Sequence, residues 1–334
     1  MKLLEITKIV IIATLPICMV SCDEEEDDEL LGNWTELSDF EGVPRSDAVG
    51  FSVSTKGYVG LGYDGEDRLT DFWEYDAEKN TWMQKADFLG VARSGAVGFG
   101  TDTKGYLGTG YDGKNKLNDF WEYDPQNNTW TQKADFGGSA RYGAVAFSIN
   151  NMGYIGTGYD GFYLKDFWQY DPQNNTWTQK VSLGGSKRRD AVGFVIGGKG
   201  YVCTGLDNGS YEDDFWEYDP ALDSWTKKRS ISNATSESFD DDYASITGSS
   251  KVVFVSGYRA FLVGGSGSIS STVWEYDQTT DLWEEKTGFE GTARIEAVAF
   301  SVNEKGFITT GRSSSYYFDD IWTFDPDVEY NEYD

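Results

Sequence analysis

Five arginines recur at one place in this 334-residue chain, each eleven residues after a tryptophan: Arg45, Arg93, Arg141, Arg188 and Arg294. A guanidinium presents a planar fork of donors that matches a carboxylate, so five of them converging on one axis would make an anion-recognising ring. A second recurring group is Tyr-Asp-Gly, beginning at Tyr63, Tyr111 and Tyr159, with Arg312 at the matching place near the C-terminus. Phe162 and Tyr163, Tyr211, and Tyr316 to Phe318 depart from the repeat. Aromatic faces beside polar groups suit stacking on sugar rings. The bland alternative for the arginines is structural, with each bound to carbonyls or to aspartates of neighbouring units.

Other chemistry is excluded by composition. Histidine is absent, which removes a Ser-His-Asp relay, a His-activated cysteine and imidazole metal ligands. No catalytic residue, metal or cofactor is expected. The run Asp240-Asp241-Asp242 offers three carboxylates, but without further oxygen ligands at defined spacing it reads as a solvated loop. A formal charge of −28 argues against a nucleic-acid partner. Cys18 and Cys22 lie in or beside the leader, so Cys203 is the only thiol of the body; its place in the repeat is held by Gly60 and Gly108 elsewhere, and it reads as a small buried strand residue.

The elements that must carry these residues follow from the tryptophans. Trp73, Trp121, Trp168, Trp216, Trp274 and Trp322 lie 47 or 48 residues apart, except for one step of 58. All but the last have a second tryptophan nine residues on, and Trp34 stands alone at the start. Such a period marks stacked supersecondary units that bury their faces on one another. Within a copy the pattern is period-two. Ala48–Val53 reads as an innermost strand, followed by Tyr58–Gly62, Asp71–Tyr75 and Thr81–Lys85. The tryptophans are expected between units, and Asp71, Asp119, Asp166, Asp214 and Asp320 as turn caps.

The order R-x-x-A-V, G-Y-x-G-x-G, D-F-W-E-Y-D and N-x-T-W resembles the kelch repeat. The resemblance implies an all-β, six-bladed propeller across 33–326, with four antiparallel strands per blade. The family's double glycine survives only as Gly264-Gly265. The chain opens with a fourth-strand signature, Asn33-Trp34-Thr35, and closes after a third-strand one, Ile321-Trp322-Thr323. The N-terminal strand is therefore expected to complete the last blade and remove open sheet edges. Strand parity then gathers the Tyr-Asp-Gly loops and the arginine loops around one mouth. The approach to copy five is longer, with Gly248 where the arginine belongs, and Ser230–Thr247 is expected to overhang that mouth.

Met1–Ser21 reads as a signal peptide, and Met19-Val20-Ser21-Cys22 resembles a bacterial lipobox with Cys22 as the lipidated residue. Residues 22–32 read as an acidic tether and 327–334 as an acidic tail. The reading is an outer-membrane lipoprotein, surface-exposed or, as the alternative, periplasmic, monomeric, and attached to the membrane only by its lipid. Its expected role is non-catalytic binding of a glycan or an envelope protein. The alternatives are an assembly scaffold or a sugar-modifying enzyme. Among kelch-like enzymes, galactose oxidase needs copper-binding histidines and is excluded. An N-acetylneuraminate mutarotase would need only arginine and carboxylate, such as Arg141 or Arg188 with Glu296 or Asp190.

Overall fold

The computed structural model describes residues 31–267 and 271–331. The leader, Cys22 and most of the tether lie outside the described residues. Among the described residues no helix is long and apolar enough to cross a membrane.

Blade one shows how the repeat folds. Val49–Val53 (β2), Lys56–Gly60 (β3), Phe72–Asp76 (β4) and Thr81–Gln84 (β5) form one antiparallel sheet in chain order, preceded by Leu31–Glu36 (β1), which belongs elsewhere. Along β2, Val49, Phe51 and Val53 are buried while Gly50 and Ser52 are half-buried, the two-residue alternation of a pleated strand. Small residues are required here because innermost strands crowd at the axis. A Cβ on Gly50 would sit 2.0 Å from Cγ1 of Val298 in the adjoining blade.

The same four-stranded sheet recurs six times. The sixth contains Val298–Val302, Lys305–Thr309, Ile321–Glu329 and, as its outer strand, β1. Pairing of Trp34 with Phe324 and Glu36 with Trp322 closes the ring. The closing strand begins at Leu31, and its partner runs on to Glu329, paired with Leu31. The folded region therefore takes residues from both segments read as acidic ends, and Asp327 forks Arg259 at 2.8 and 2.9 Å.

Neighbouring blades clasp through the turn between third and fourth strands. Asn128, left-handed at φ 52°, accepts the Ala86 N–H of the previous blade through its side chain at 2.8 Å. The Trp130 indole returns a bond to the Ala86 carbonyl at 3.0 Å. Asn175 with Trp177, and Asp223 with Trp225, repeat the pattern. An apolar side chain from the incoming loop then packs on the tryptophan pair. Phe88 lies 5.4 and 5.2 Å from Trp121 and Trp130.

At blade five Ile231 and Tyr243 share that role. Tyr243 stacks edge-on against Trp274, donates to the Trp283 carbonyl at 2.9 Å and accepts the Trp283 N–H at 2.7 Å. The Ser230–Thr247 insert thus packs down into the wall between blades and does not overhang the mouth, a correction forced by its own buried residues Ile231, Tyr243 and Ile246. The Asp240 carboxylate is spent inside the loop, accepting the N–H groups of Ala234 and Thr235 and the Thr235 hydroxyl. Among the described residues no acid, cysteine or histidine cluster is arranged to hold a metal. Cys203 is fully buried, which pushes its thiol up to about 12.

Candidate functional site

The arginine ring does not form. Arg45, Arg93, Arg141 and Arg188 are completely buried and Arg294 nearly so. Each turns into its own blade and meets the aspartate that precedes the third strand. Arg93 forks Asp119 at 2.6 and 2.7 Å, and Arg45 forks Asp71 at 2.6 Å twice. Arg141 does the same with Asp166, and Arg188 and Arg294 pair with Asp214 and Asp320. A further N–H reaches the carbonyl immediately after the second strand, as from Arg93 to Thr109 at 3.0 Å. The aspartates are thus ion-pair partners that also accept the indole N–H of the following tryptophan, Trp121 to Asp119 at 2.7 Å. Burial alone would raise the Asp119 carboxyl, but Arg93 and Trp121 outweigh it and hold it below the usual range.

Blade five makes the rule visible by breaking it. Gly248 replaces the arginine and Thr272 the aspartate. Lys251, at the place of Ala48, donates to the Gly264 carbonyl at 2.6 Å, the equivalent of the carbonyl that the arginines hold. Burial pulls its ammonium down to about 8. The surviving double glycine also finds its reason. The first position needs φ near 60° and the second near 95°, as in Gly264 at 64° and Gly265 at 86°. Leu61, Thr109, Thr157, Thr204 and Thr310 occupy the first position left-handed, with their side chains buried.

What faces the axis is the residue two places after the arginine: Asp47, Gly95, Gly143, Asp190, Ser250 and Glu296. All six are left-handed, at φ from 51° to 62°. Their backbones bond head to tail in a closed hoop. Gly95 N–H reaches the Asp47 carbonyl at 3.0 Å, Gly143 reaches Gly95 at 3.1 Å and Asp190 reaches Gly143 at 2.8 Å. Ser250 reaches Asp190 at 2.9 Å, Glu296 reaches Ser250 at 3.4 Å and Asp47 reaches Glu296 at 3.0 Å. The hoop rims a cavity of about 170 Å³ lined by Asp47, Asp190, Glu296, Arg189, Tyr142 and the alanines below them. Sequence reasoning named Asp190 and Glu296 only as possible partners and missed Asp47, Arg189 and Tyr142. The available signal was a column that changes chemistry between otherwise constant neighbours.

Around the cavity lie the aromatic residues read from the sequence. The two loop types do pair, with bridges Ser46 to Tyr63, Ser94 to Tyr111, Tyr142 to Tyr159 and Ile295 to Arg312. Tyr317 meets Tyr63 edge-on at 6.2 Å, and Arg68 lies between Tyr63 and Tyr111 at 5.2 and 5.0 Å. Tyr111, Tyr142, Tyr159 and Tyr163 continue the arc at 5.2 to 5.8 Å spacings. Phe162 projects outward, 78% exposed. Arg312 forks Glu296 at 2.6 and 2.9 Å, while Arg189 sits 3.4 Å from Asp190 and donates to the Tyr142 hydroxyl at 3.2 Å. Of the residues singled out, Tyr63, Tyr111, Tyr159, Tyr163 and Arg312 therefore gather at the mouth, and the five arginines do not.

Burial pushes the Asp47 carboxyl up to about 7; Glu296 and Asp190 add to this, and Arg312 and Arg189 oppose it. Burial raises Asp190 to about 6 against the pull of Arg189. Between its ordinary 3.8 and about 7, folded Asp47 holds a proton that the unfolded chain has released. Stability therefore falls as pH rises across that window. Asp47→Asn is expected to raise Tm by on the order of a few degrees at pH 8 and to leave it unchanged at pH 4, read by thermal unfolding at both values. Asparagine tolerates the left-handed backbone, so the substitution spares the hoop.

Residues 33–188 match the model of the KLHDC2/KLHL20/DRC7 kelch-repeats domain. No curated protein matches the chain. A solved structure, that of YjhT, superposes with a TM-score of 0.72 at 17% identity, over 85% of this chain and 95% of that one. At that identity the likeness speaks for the fold alone. The matched segment and the remaining blades close as one ring, so this protein is a six-bladed β-propeller whose residues 33–188 match a kelch-repeat model.

Proposed function

We propose that the protein is a non-catalytic binding propeller of the cell envelope that takes a glycan at the mouth of its channel. One observation carries the reading: a small polar cavity on the axis is bordered by an arc of half-buried tyrosines with two arginines among its polar groups. Sugar rings stack on aromatic faces and offer hydroxyls to carboxylates and guanidinium groups at the same time. The lipobox-like Met19–Cys22 and the acidic run after it support placement on the envelope. Cys22→Ala is expected to release the protein from membranes, and continued membrane association of that variant would remove the anchor.

A screen of neutral, basic and acidic glycans against the protein lacking Met1–Glu29 tests the binding role. Tyr111→Ala should weaken any hit by about fivefold, in line with one lost stacking contact. A stable protein partner captured with no sensitivity to sugars would move the reading to a scaffold. The second reading, a sugar-modifying enzyme, draws on Asp47, since a carboxyl titrating near 7 is suited to moving protons at neutral pH. Acceleration of anomer exchange, followed by NMR, would favour it.

A further inference from the structure

Resting on the glycan reading, we infer that the ligand is an amino sugar with a free amine, its ammonium seated on Asp47 at the centre of the mouth. The charge inventory of the cavity selects this class. The five repeat arginines, which would have favoured an acidic glycan, are buried and neutralised by aspartates. The two arginines beside the cavity carboxylates are engaged as well, Arg312 by the Glu296 fork and Arg189 by Asp190. Asp47 alone among these carboxylates has no hydrogen-bond or ion-pair partner among the described residues. With Asp47 ionised, the three carboxylates lining the cavity exceed Arg189 and Arg312 by one negative charge, Arg68 standing among the rim tyrosines outside that lining, within a chain of formal charge −28. An acidic sugar would enter against that field, and a cation would enter with it.

The Asp47 side chain has no structural duty that explains its presence. The hoop is drawn from main-chain atoms, and glycine fills the same left-handed position at Gly95 and Gly143 without interrupting it. An aspartate there carries backbone strain that glycine would avoid. The wall beside it supplies the remaining recognition. Arg189, its Nε 3.4 Å from Asp190 and its Nη1 donating to the Tyr142 hydroxyl at 3.2 Å, fixes that wall in place. Tyr142, 5.6 Å from the Arg189 guanidinium, offers an aromatic face. The cavity, about 170 Å³, leaves room at the axis for polar groups of a ligand. N-acetylation would replace the ammonium by a neutral amide and place a methyl group against the carboxylate.

Isothermal titration of the full chain in detergent at pH 7 with a glucosamine trimer, an N-acetylglucosamine trimer and a glucose trimer tests the inference. The free-amine trimer is expected to bind at least about tenfold more tightly than either neutral trimer, as for one desolvated charged hydrogen bond. Asp47→Asn should abolish the preference while keeping the weaker neutral binding, and Asp47→Glu should restore part of it. Equal affinity for the three trimers, with Tyr111→Ala weakening all of them, would overturn the amine assignment and leave glycan binding standing. Failure of every trimer to bind would overturn both. Preference for an oligolysine peptide over the glucosamine trimer would overturn the sugar assignment in favour of a basic protein segment.

Discussion

Asp119→Ala is expected to destabilise the protein by about 3–5 kcal/mol, because it leaves the wholly buried Arg93 guanidinium without its counter-ion. That corresponds to a fall in Tm of roughly 5–15 °C for a chain of this size. The loss exceeds a surface ion pair's because Arg93 has no route to water. It is held on one side by the Thr109 carbonyl and on another by the Phe88 ring, 4.9 Å from its centre. The Trp121 indole would lose its acceptor in the same substitution. Arg93→Ala together with Arg141→Ala should prevent folding by opening two adjacent blades. Chemical denaturation reads both results. A parental unfolding curve for either variant would return the arginines to the mouth and restore an anion-binding ring.

A chain that starts at Phe40, and so lacks β1, is expected to form no stable monomer. Its loss begins with Trp34, completely buried and in ring contact with Phe324, Phe289 and Phe254 at 4.7, 4.9 and 6.2 Å. Removing one such indole costs about 3–5 kcal/mol in a packed core. The whole strand adds the pairing with Ile321–Glu329, so the sum is comparable with the entire stability of a typical domain, about 5–15 kcal/mol. The bared strand would then present nine residues of unpaired edge to other chains. Light scattering after size exclusion should find aggregates or strand-exchanged assemblies. A monodisperse species with the parental Tm would show that the ring holds without this closure.

The architecture was legible because one constraint repeats six times. Tryptophans at fixed spacing need a neighbour to cover them, so blade number, strand order and closure by β1 follow from counting. The mouth was hidden by local backbone geometry. The parity of the strands brings the arginine loop to the correct face, but left-handed residues such as Asp47 turn the chain between Arg45 and Val49. The side chain that reaches the axis is therefore two places past the arginine. A signal for the arginine's true role was present in the repeat itself. Asp71, Asp119, Asp166, Asp214 and Asp320 accompany the five arginines, and the copy with Gly248 has Thr272 in place of the aspartate. Arginine and aspartate come and go together because neither is tolerable alone in a dry interior.

The hoop of peptide groups at the top of the channel has a consequence for how this scaffold can change. Its six links are indifferent to the side chains they carry, as glycine, serine and three acids on one circle already attest. The positions can thus be rewritten by residues that accept a left-handed backbone, as beads are exchanged on a clasped string, although a side chain at Gly143 would press on Asp190. Selectivity can drift, or be engineered, at the rim while the girders of arginine and aspartate beneath stay untouched.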